Sequence, residues 1–203
     1  MSLTAIIPTM GRASIARTIL SARDQWQPGD ELLIAYDTHD ARPTLDWFRS
    51  VAGLVPSDVT LTIHEHDAGH HCWGHCVLSS AQQQASGDWL CWNDDDDVFT
   101  PTAFAAIRRA TAEITAPMPL LFRFVTHYGL VAWADQTLQQ GTVGGHCLVV
   151  PNVRERLGTW TCRYEGDYDF VIDTLTRWRA AGVPHLGWCR DVIAVARPEG
   201  GTK

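Results

Sequence analysis

An apolar segment followed closely by four consecutive aspartates constrains the fold of this chain more than any other feature. Trp89–Trp92 reads as a short buried strand, rich in aromatic residues, and the aspartates occupy positions 94–97. Four adjacent carboxylates cannot be buried unpaired, because each would carry a heavy desolvation cost. They must face water, basic side chains or a metal cation. A solvated acidic turn is the plain alternative, but their position predicts a metal and phosphate site at the carboxyl edge of an α/β sheet.

Strands and helices alternate through the first half of the chain. The sequence predicts strands at residues 3–7, 31–36, 59–64 and 89–92, and helices at residues 14–24, 43–51, 76–85 and 102–114. Short connections between them favour a mostly parallel central sheet flanked by helices. The second half is less regular. It predicts a hairpin of residues 120–126 and 130–133, a strand at 146–150, a helix at 169–181 and a last strand at 186–197.

Composition excludes several classes of protein. The net charge of −7 provides no overall basic surface for nucleic acid, although Arg108, Arg109, Arg154 and Arg156 form a possible local patch. No apolar run approaches the roughly 20 residues needed to span a bilayer. The first residues lack the pattern of an export signal, so we expect a cytoplasmic protein. We also expect all six cysteines to be free thiols, since a chain of 203 residues needs no disulfide staples.

Residues 70–76 are rich in histidine and cysteine and form a second candidate metal site. Cys72 and Cys76 would share one face of a helix, and with the neighbouring histidines they offer ligand types suitable for zinc. A second pair of cysteine or histidine residues at matching spacing is missing. The pattern therefore favours a substrate loop that leads into a helix.

Four motifs, in order, resemble those of the GT-A fold glycosyltransferases of the family 2 type. They are the opening strand and loop TAIIPTMGR (residues 4–12), the strand ELLIAYD (31–37), the segment ASGDWL with DDDD (85–97) and the late segment EGDYDF (165–170). The resemblance differs in two places around the nucleotide. Tyr36 replaces the first of two acids that often end the second strand, and Leu78-Ser79 stands where an Arg-Asn pair is common.

The resemblance implies one Rossmann-like GT-A domain over residues 1–203. Residues 1–115 would form the nucleotide-binding half, 116–197 the acceptor and catalytic half, and 198–203 a flexible tail. The implied reaction is an inverting, metal-dependent transfer of a single sugar, of the hexosyltransferase type, from a nucleotide-diphosphate sugar to an acceptor hydroxyl.

The same resemblance assigns candidate site residues. Mn²⁺ or Mg²⁺ would be held by Asp96 and Asp94 of a DXD motif, with His185 and His146 as further candidate ligands. Asp167 would be the general base, with Glu165 as the second candidate. The predicted nucleotide-sugar pocket comprises Pro8, Thr9, Arg12, Asp37, Asp94 and Asp95. Asp95 and Asp97 would mainly support the neighbouring ligands.

Two other classes remain open from the sequence. One is a nucleotidyltransferase-like or other nucleotide-sugar enzyme, and the other is a non-catalytic carbohydrate- or metal-binding domain. The acceptor is equally open: a saccharide, a protein side chain, a lipid-linked sugar or a modified base in phage DNA. Trp73, Trp160 and Trp188 are candidates for stacking on a sugar ring, although most of the nine tryptophans must be core.

Overall fold

Eight strands form one mixed sheet with helices on both faces. The computed structural model describes residues 1–39, 42–67 and 74–198. The strands are β1 (Leu3–Thr9), β2 (Glu31–Asp37), β3 (Thr60–His66), β4 (Trp89–Trp92), β5 (Val98–Phe99), β6 (Leu120–Val125), β7 (Leu148–Pro151) and β8 (Gly187–Val195). The helices are α1 (Ile15–Ala22), α2 (Leu45–Ala52), α3 (His75–Ala81), α4 (Ala103–Glu113) and α5 (Gly166–Ala180). Among the described residues, no helix has the length and apolar character needed to cross a membrane.

The strand order is β3-β2-β1-β4-β7-β6-β8-β5. Strands β1 to β4 are parallel to one another, and β6 is parallel to β8. Strand β7 runs antiparallel to both β4 and β6, so β6 and β8 point in the same direction as β1 to β4. The carboxyl ends of β1, β2, β3, β4, β6 and β8 therefore meet at one edge of the sheet, where open α/β sheets bind ligands.

Alternating side chains of the central strands supply a core on each face of the sheet. Ile6 and Leu33 pack toward α3 and α5, whereas their neighbours Ile7 and Leu32 pack toward α1 and α2. A third cluster lies under α4 and includes Phe104. Strands β1, β2 and β4 are buried along their whole length, which explains why they read as continuous apolar runs.

A buried carboxylate holds the parallel strands together at the opposite edge. Glu31 at the start of β2 accepts hydrogen bonds from Thr4 on β1 (2.8 Å), from Thr62 on β3 (2.6 Å) and from the backbone and hydroxyl of Ser86 ahead of β4. Only 2% of Glu31 is exposed, and each of its oxygens has a partner. These hydrogen bonds offset the desolvation cost of burying the carboxylate of Glu31.

The first half of the chain confirms the predicted alternation, with β4 at the predicted residues. The second half departs from it at residues 130–133, which do not form a strand. One isolated bridge joins Val125 and Val131, and Trp133 then adopts a left-handed backbone with φ 47°. Trp133 is buried, and its indole N–H donates to the carbonyl of Phe122 (2.7 Å). The segment therefore packs this side chain into the core instead of pairing with β6 as a second strand of a hairpin.

Helix α5 begins earlier than the sequence predicts. The first residue is Gly166 rather than Asp169. Asp167 consequently lies in the first helical turn instead of in a preceding loop, and its position is fixed by the helix.

The expectation of six free thiols is wrong. Cys162 is disulfide-bonded, whereas Cys76, Cys91, Cys147 and Cys189 are free. Cys162 lies in the exposed loop before α5, and sequence spacing does not reveal which loops the fold brings together. The candidate zinc ligands Cys72, His70 and His71 and the candidate stacking residue Trp73 lie outside the described residues, as do residues 199–203 of the tail.

Candidate functional site

Two adjoining cavities open at the carboxyl edge of the sheet. The smaller has a volume of about 310 Å³, and the larger about 600 Å³. Asp94 and Arg197 line both of them. A ligand in one cavity would therefore meet a ligand in the other at these two side chains.

The smaller cavity contains the residues that the sequence predicts for a nucleotide-sugar donor, and it is named the donor cleft after that prediction. Its lining comprises Pro8, Thr9, Met10, Arg12, Asp37, Gly74, Asp94, Asp95, Asp96 and Arg197. All six residues predicted for the nucleotide-sugar pocket are in this set, and so is the predicted metal ligand Asp96. They come together because β1, β2 and β4 are adjacent and end at the same edge.

Asp95 organises the loop that follows β1. It accepts hydrogen bonds from the Thr9 hydroxyl (2.6 Å) and from the Arg12 guanidinium (3.2 Å). Burial raises the pKa of Asp95, while the bonds from Thr9 and Arg12 oppose that rise. Asp95 therefore acts from beneath the donor cleft by fixing two residues of its wall.

Asp96 forms ion pairs with two arginines. Its carboxylate lies 3.2 Å from Arg197 Nε and 4.0 Å from an Arg12 terminal nitrogen. Arg197 has a left-handed backbone with φ 43°, and its N–H donates to Asp97 (2.9 Å). Non-glycine residues adopt this conformation rarely and often at functional sites. Apart from its place at the end of the last predicted strand, nothing in the sequence indicated a role for Arg197.

Asp94, Asp97 and His146 form a cluster with the ligand types of a metal site. One potential ligand atom from each lies within 4.8 Å of the others. His146 Nδ1 is 3.8 Å from Asp97, and its buried Nε2 lacks a hydrogen-bond partner among the described residues. Asp94 is exposed to the cavities, but the protein that surrounds it keeps most bulk water away; this desolvation raises its pKa, and repulsion from Asp97 and Asp167 adds to the rise. Burial likewise raises the pKa of Asp97, against the influence of His146.

This cluster fits a divalent cation such as Mn²⁺ or Mg²⁺. Two carboxylates and an imidazole are acceptable ligands, and a cation would relieve the mutual repulsion of the carboxylates. The predicted ligand Asp94 belongs to the cluster, but Asp96 instead pairs with arginines. His185 is exposed ahead of the amino end of β8, whereas the cluster lies at the carboxyl end of that strand. Of the two histidines that the sequence offers as further ligands, the structure therefore brings His146 to the site and leaves His185 away from it.

Asp167, the predicted base, faces the larger cavity together with Glu165. His75 Nε2 approaches the Asp167 carboxylate at 3.6 Å, while His75 Nδ1 contacts the carbonyl of Thr161 (2.9 Å). Burial raises the pKa of Asp167, but His75 and the charge of His146 outweigh it, so the net pKa lies below its usual value. Asp167 is thus held ionised. In the sequence, His75 belongs to the candidate zinc segment 70–76 and is not predicted to contact the base.

Gly166 makes the approach of His75 possible. A Cβ at this position would lie 2.2 Å from His75 Nδ1 and 2.3 Å from the Thr161 carbonyl. His75 itself is buried and stacks on Trp160, with ring centroids 5.4 Å apart. The first turn of α5 and the start of α3 are therefore packed so tightly that only glycine fits between them.

The larger cavity has an aromatic wall, and it is named the acceptor cavity after the predicted base Asp167 that lines it. Its lining is His75, Asp94, Asp97, Phe124, Thr126, His127, Tyr128, Gln140, Gly141, Val143, Gly144, His146, Tyr164, Glu165, Asp167, Tyr168, Ala196 and Arg197. The candidate stacking residues Trp160 and Trp188 are absent from this wall. Trp160 stacks in the core on Phe170 at 4.0 Å, and Trp188 packs on Trp133 at 4.9 Å. Tyrosines from two loops take their place.

The sheet order and the acidic site at its carboxyl edge define a GT-A-like α/β fold, the fold of glycosyltransferases. Solved structures share it. S. aureus TarS matches 98% of this chain with a TM-score of 0.65 at 14% identity. TarS 1-349 in complex with UDP-GlcNAc matches 100% with a TM-score of 0.63 at 13% identity. The mannosyltransferase PcManGT from Pyrobaculum calidifontis, in complex with GDP-Man and Mn²⁺, matches 98% with a TM-score of 0.60 at 16% identity.

The chain spans only part of these neighbours, 38% of TarS, 60% of TarS 1-349 and 58% of the mannosyltransferase. No protein-family model matches the sequence, and no curated protein is similar to it. The likeness is therefore one of fold.

Proposed function

We propose that this chain is a metal-dependent inverting glycosyltransferase that moves one sugar from a nucleotide-diphosphate sugar to an acceptor hydroxyl. The observation that carries the proposal is the junction of the two cavities. Asp94 and Arg197 line both, and Asp167 stands on the acceptor side. The donor and the acceptor would meet beside the positive charge of Arg197 and the carboxylate of Asp167, the proposed base.

The donor cleft suits a nucleoside diphosphate. Arg12 and Arg197 supply positive charge beside Asp96, and both are side chains that can bind phosphate oxygens. The neighbours in complex with UDP-GlcNAc and with GDP-Man make uridine and guanosine diphosphate sugars the first donors to test.

Asp94, Asp97 and His146 would hold the Mn²⁺ or Mg²⁺ ion. When bound, the ion supplies positive charge that stabilises the diphosphate as it leaves. Asp96 would remain with Arg197 and Arg12, and these arginines would orient the phosphates from the other side of the cleft.

Asp167 would take the proton of the acceptor hydroxyl. The oxygen of that hydroxyl bonds to the anomeric carbon, the bond from this carbon to the diphosphate oxygen breaks, and its electron pair leaves with the diphosphate. A base in the acceptor cavity and phosphates in the donor cleft would lie on opposite sides of the sugar. This arrangement supports a single displacement with inversion.

Calorimetric titration of UDP, GDP and their sugars, with Mn²⁺, with Mg²⁺ and with EDTA, tests the proposal. We expect one nucleotide to bind, at least ten-fold more tightly with a divalent ion. A panel in which no nucleoside diphosphate or its sugar binds would refute a nucleotide-sugar enzyme. Equal affinity in EDTA would refute the role of the metal alone.

A matched pair of histidine variants tests the ligand set. Mn²⁺ binding, followed by electron paramagnetic resonance, should be lost in His146→Gln and retained in His185→Gln, because only His146 belongs to the carboxylate cluster. Loss in His185→Gln with retention in His146→Gln would restore the ligand set that the sequence predicts.

A further inference from the structure

We infer that the acceptor held in the acceptor cavity is an uncharged saccharide that stacks on the tyrosine wall and presents a hydroxyl to Asp167. The inference rests on the proposed function, because it names the substrate of the second cavity. Its grounds are the size, the aromatic lining and the charge of that cavity.

Size limits the part of the acceptor that is enclosed. Protein cavities of about 300–1,000 Å³ hold small molecules, and the acceptor cavity has a volume of about 600 Å³. One or two sugar rings fit within this range. A longer glycan would leave its remaining residues outside, past the exposed loop that carries His127 and Tyr128.

The aromatic wall suits the apolar faces of sugar rings. Tyr128 is 78% exposed and Tyr164 is 65% exposed, although both belong to a cavity wall. Tyr128 lies against His127 with ring centroids 3.8 Å apart, which gives the wall a broad face. An exposed tyrosine offers a flat apolar ring for C–H groups and a hydroxyl for hydrogen bonds, and a saccharide uses both.

The charge of the cavity favours a neutral ligand. Glu165 and Asp167 line the acceptor side. A divalent ion held by Asp94, Asp97 and His146 would offset the charge of that cluster but not the charges of Glu165 and Asp167. Among the described lining residues, Arg197 is the one arginine or lysine, and it already pairs with Asp96. Carboxylates accept hydrogen bonds from sugar hydroxyls but repel phosphates and other anions.

The arginines that a nucleic acid would need lie elsewhere. Arg108 pairs with Asp30 near the amino ends of the strands, and Arg109 pairs with Asp191. Arg156 stacks on Trp178, and the turn that holds Arg154 and Arg156 follows the end of β7 at the same amino edge. None of these four residues lines the acceptor cavity. The patch suggested by the sequence therefore does not serve a DNA acceptor at this site.

Saturation-transfer NMR on the nucleotide-bound protein tests the inference. The probes are glucose, galactose, mannose, N-acetylglucosamine and their β-linked disaccharides, set against glucuronate, glycerol phosphate and a single-stranded oligonucleotide. We expect transfer to at least one neutral sugar, with no detectable transfer to the three anionic probes at 150 mM salt, a common physiological ionic strength of about 0.15 M.

Two variants locate the binding. Tyr128→Ala should weaken the neutral sugar roughly three- to ten-fold, the scale of one aromatic contact. Leu130→Ala is the matched control, because Leu130 is 66% exposed in the same loop but does not line the cavity. Gln140→Arg, which adds a positive charge to the wall, should allow glucuronate to bind.

Tighter binding of the oligonucleotide or of glycerol phosphate than of every neutral sugar would overturn the inference. So would the absence of transfer to any neutral sugar while the nucleotide is bound. Nucleotide affinity, measured in the same samples, separates this failure from failure of the proposed function: if no nucleotide binds, the enzyme class itself is wrong.

Discussion

Asp167 and Glu165 are two positions apart, yet their surroundings differ. Asp167 contacts His75 and lies beside the Asp94 cluster, whereas Glu165 lines the cavity and makes no hydrogen bond or ion pair with that cluster among the described residues. A base must lie within reach of the acceptor hydroxyl and must be ionised, and Asp167 meets the second condition through its neighbours.

Asp167→Asn should therefore lower turnover by roughly 10²–10⁴-fold, the usual contribution of a positioned base. Nucleotide affinity should stay within about two-fold of the wild type, because Asp167 does not line the donor cleft. Initial rates and calorimetry on the same preparations separate the two effects. Glu165→Gln is the control and should be milder; the reverse order of severity would make Glu165 the base.

His75 should set the pH range in which Asp167 is active. Since His75 helps to lower the pKa of Asp167, His75→Gln should raise that pKa. The base works only when ionised, so activity falls as the pH drops through the pKa. The acid limb of the kcat profile should move to higher pH in His75→Gln. An unchanged acid limb, in a variant that still binds nucleotide, would show that His75 is only structural.

At the scale of elements, the site depends on how closely α3 and the first turn of α5 approach. Glycine at position 166 lets His75 reach both Thr161 and Asp167. The late segment EGDYDF (165–170) therefore supplies both the candidate base and the glycine that lets α3 and α5 pack closely.

Gly166→Ala should disturb the base through this contact. The added Cβ would need a shift of His75 and of the Thr161 backbone, so we expect a lower melting temperature and at least a ten-fold lower kcat. Gly53→Ala is the control, since its Cβ would meet backbone oxygens only at 3.4 Å and beyond. Thermal melts and initial rates on both variants check the prediction. Wild-type behaviour of Gly166→Ala would contradict the tight packing described above.

At the scale of the whole molecule, one carboxylate connects the parallel strands. Glu31 joins β1, β2, β3 and the turn before β4 without reaching the site. Its loss would leave several buried donors unpaired at once.

Glu31→Ala should destabilise the fold by about 2–4 kcal/mol, since removal of a buried charged acceptor leaves its donors unsatisfied. Glu31→Gln keeps the shape and one acceptor oxygen, so we expect a loss of about 1 kcal/mol. Urea unfolding at pH 7 measures both. Equal losses for the two variants would mean that packing, not hydrogen bonding, explains the role of Glu31.

The disulfide at Cys162 gives a prediction for the whole chain. A disulfide uses two thiols, so the denatured protein, which has six cysteines, should show four free thiols without reductant and six after reduction. A count of six before reduction would contradict the disulfide. It would also restore the sequence-based expectation of six free thiols.

The sequence by itself determined the alternation of elements in the first half, the sheet class and seven of the ten residues that line the donor cleft. These features are local: burial of β1, β2 and β4 shows as apolar runs, and parallel strands place their following residues at one edge. Thr9, Asp37 and Asp94, which the family resemblance assigned to one pocket, lie at or just after the ends of three strands that end at this edge.

Only the tertiary structure decided which side chains complete the site. His146 approaches Asp97, Arg197 pairs with Asp96, and His75 approaches Asp167. In each pair the two residues are far apart in the chain. Sequence patterns report which residues are buried and which turns are local, but not which of two histidines a strand brings to its carboxyl end. The sequence does not distinguish His185 from His146. The structure shows that His185 precedes the amino end of β8, away from the site, whereas the turn before β7 places His146 at the carboxyl edge of the sheet.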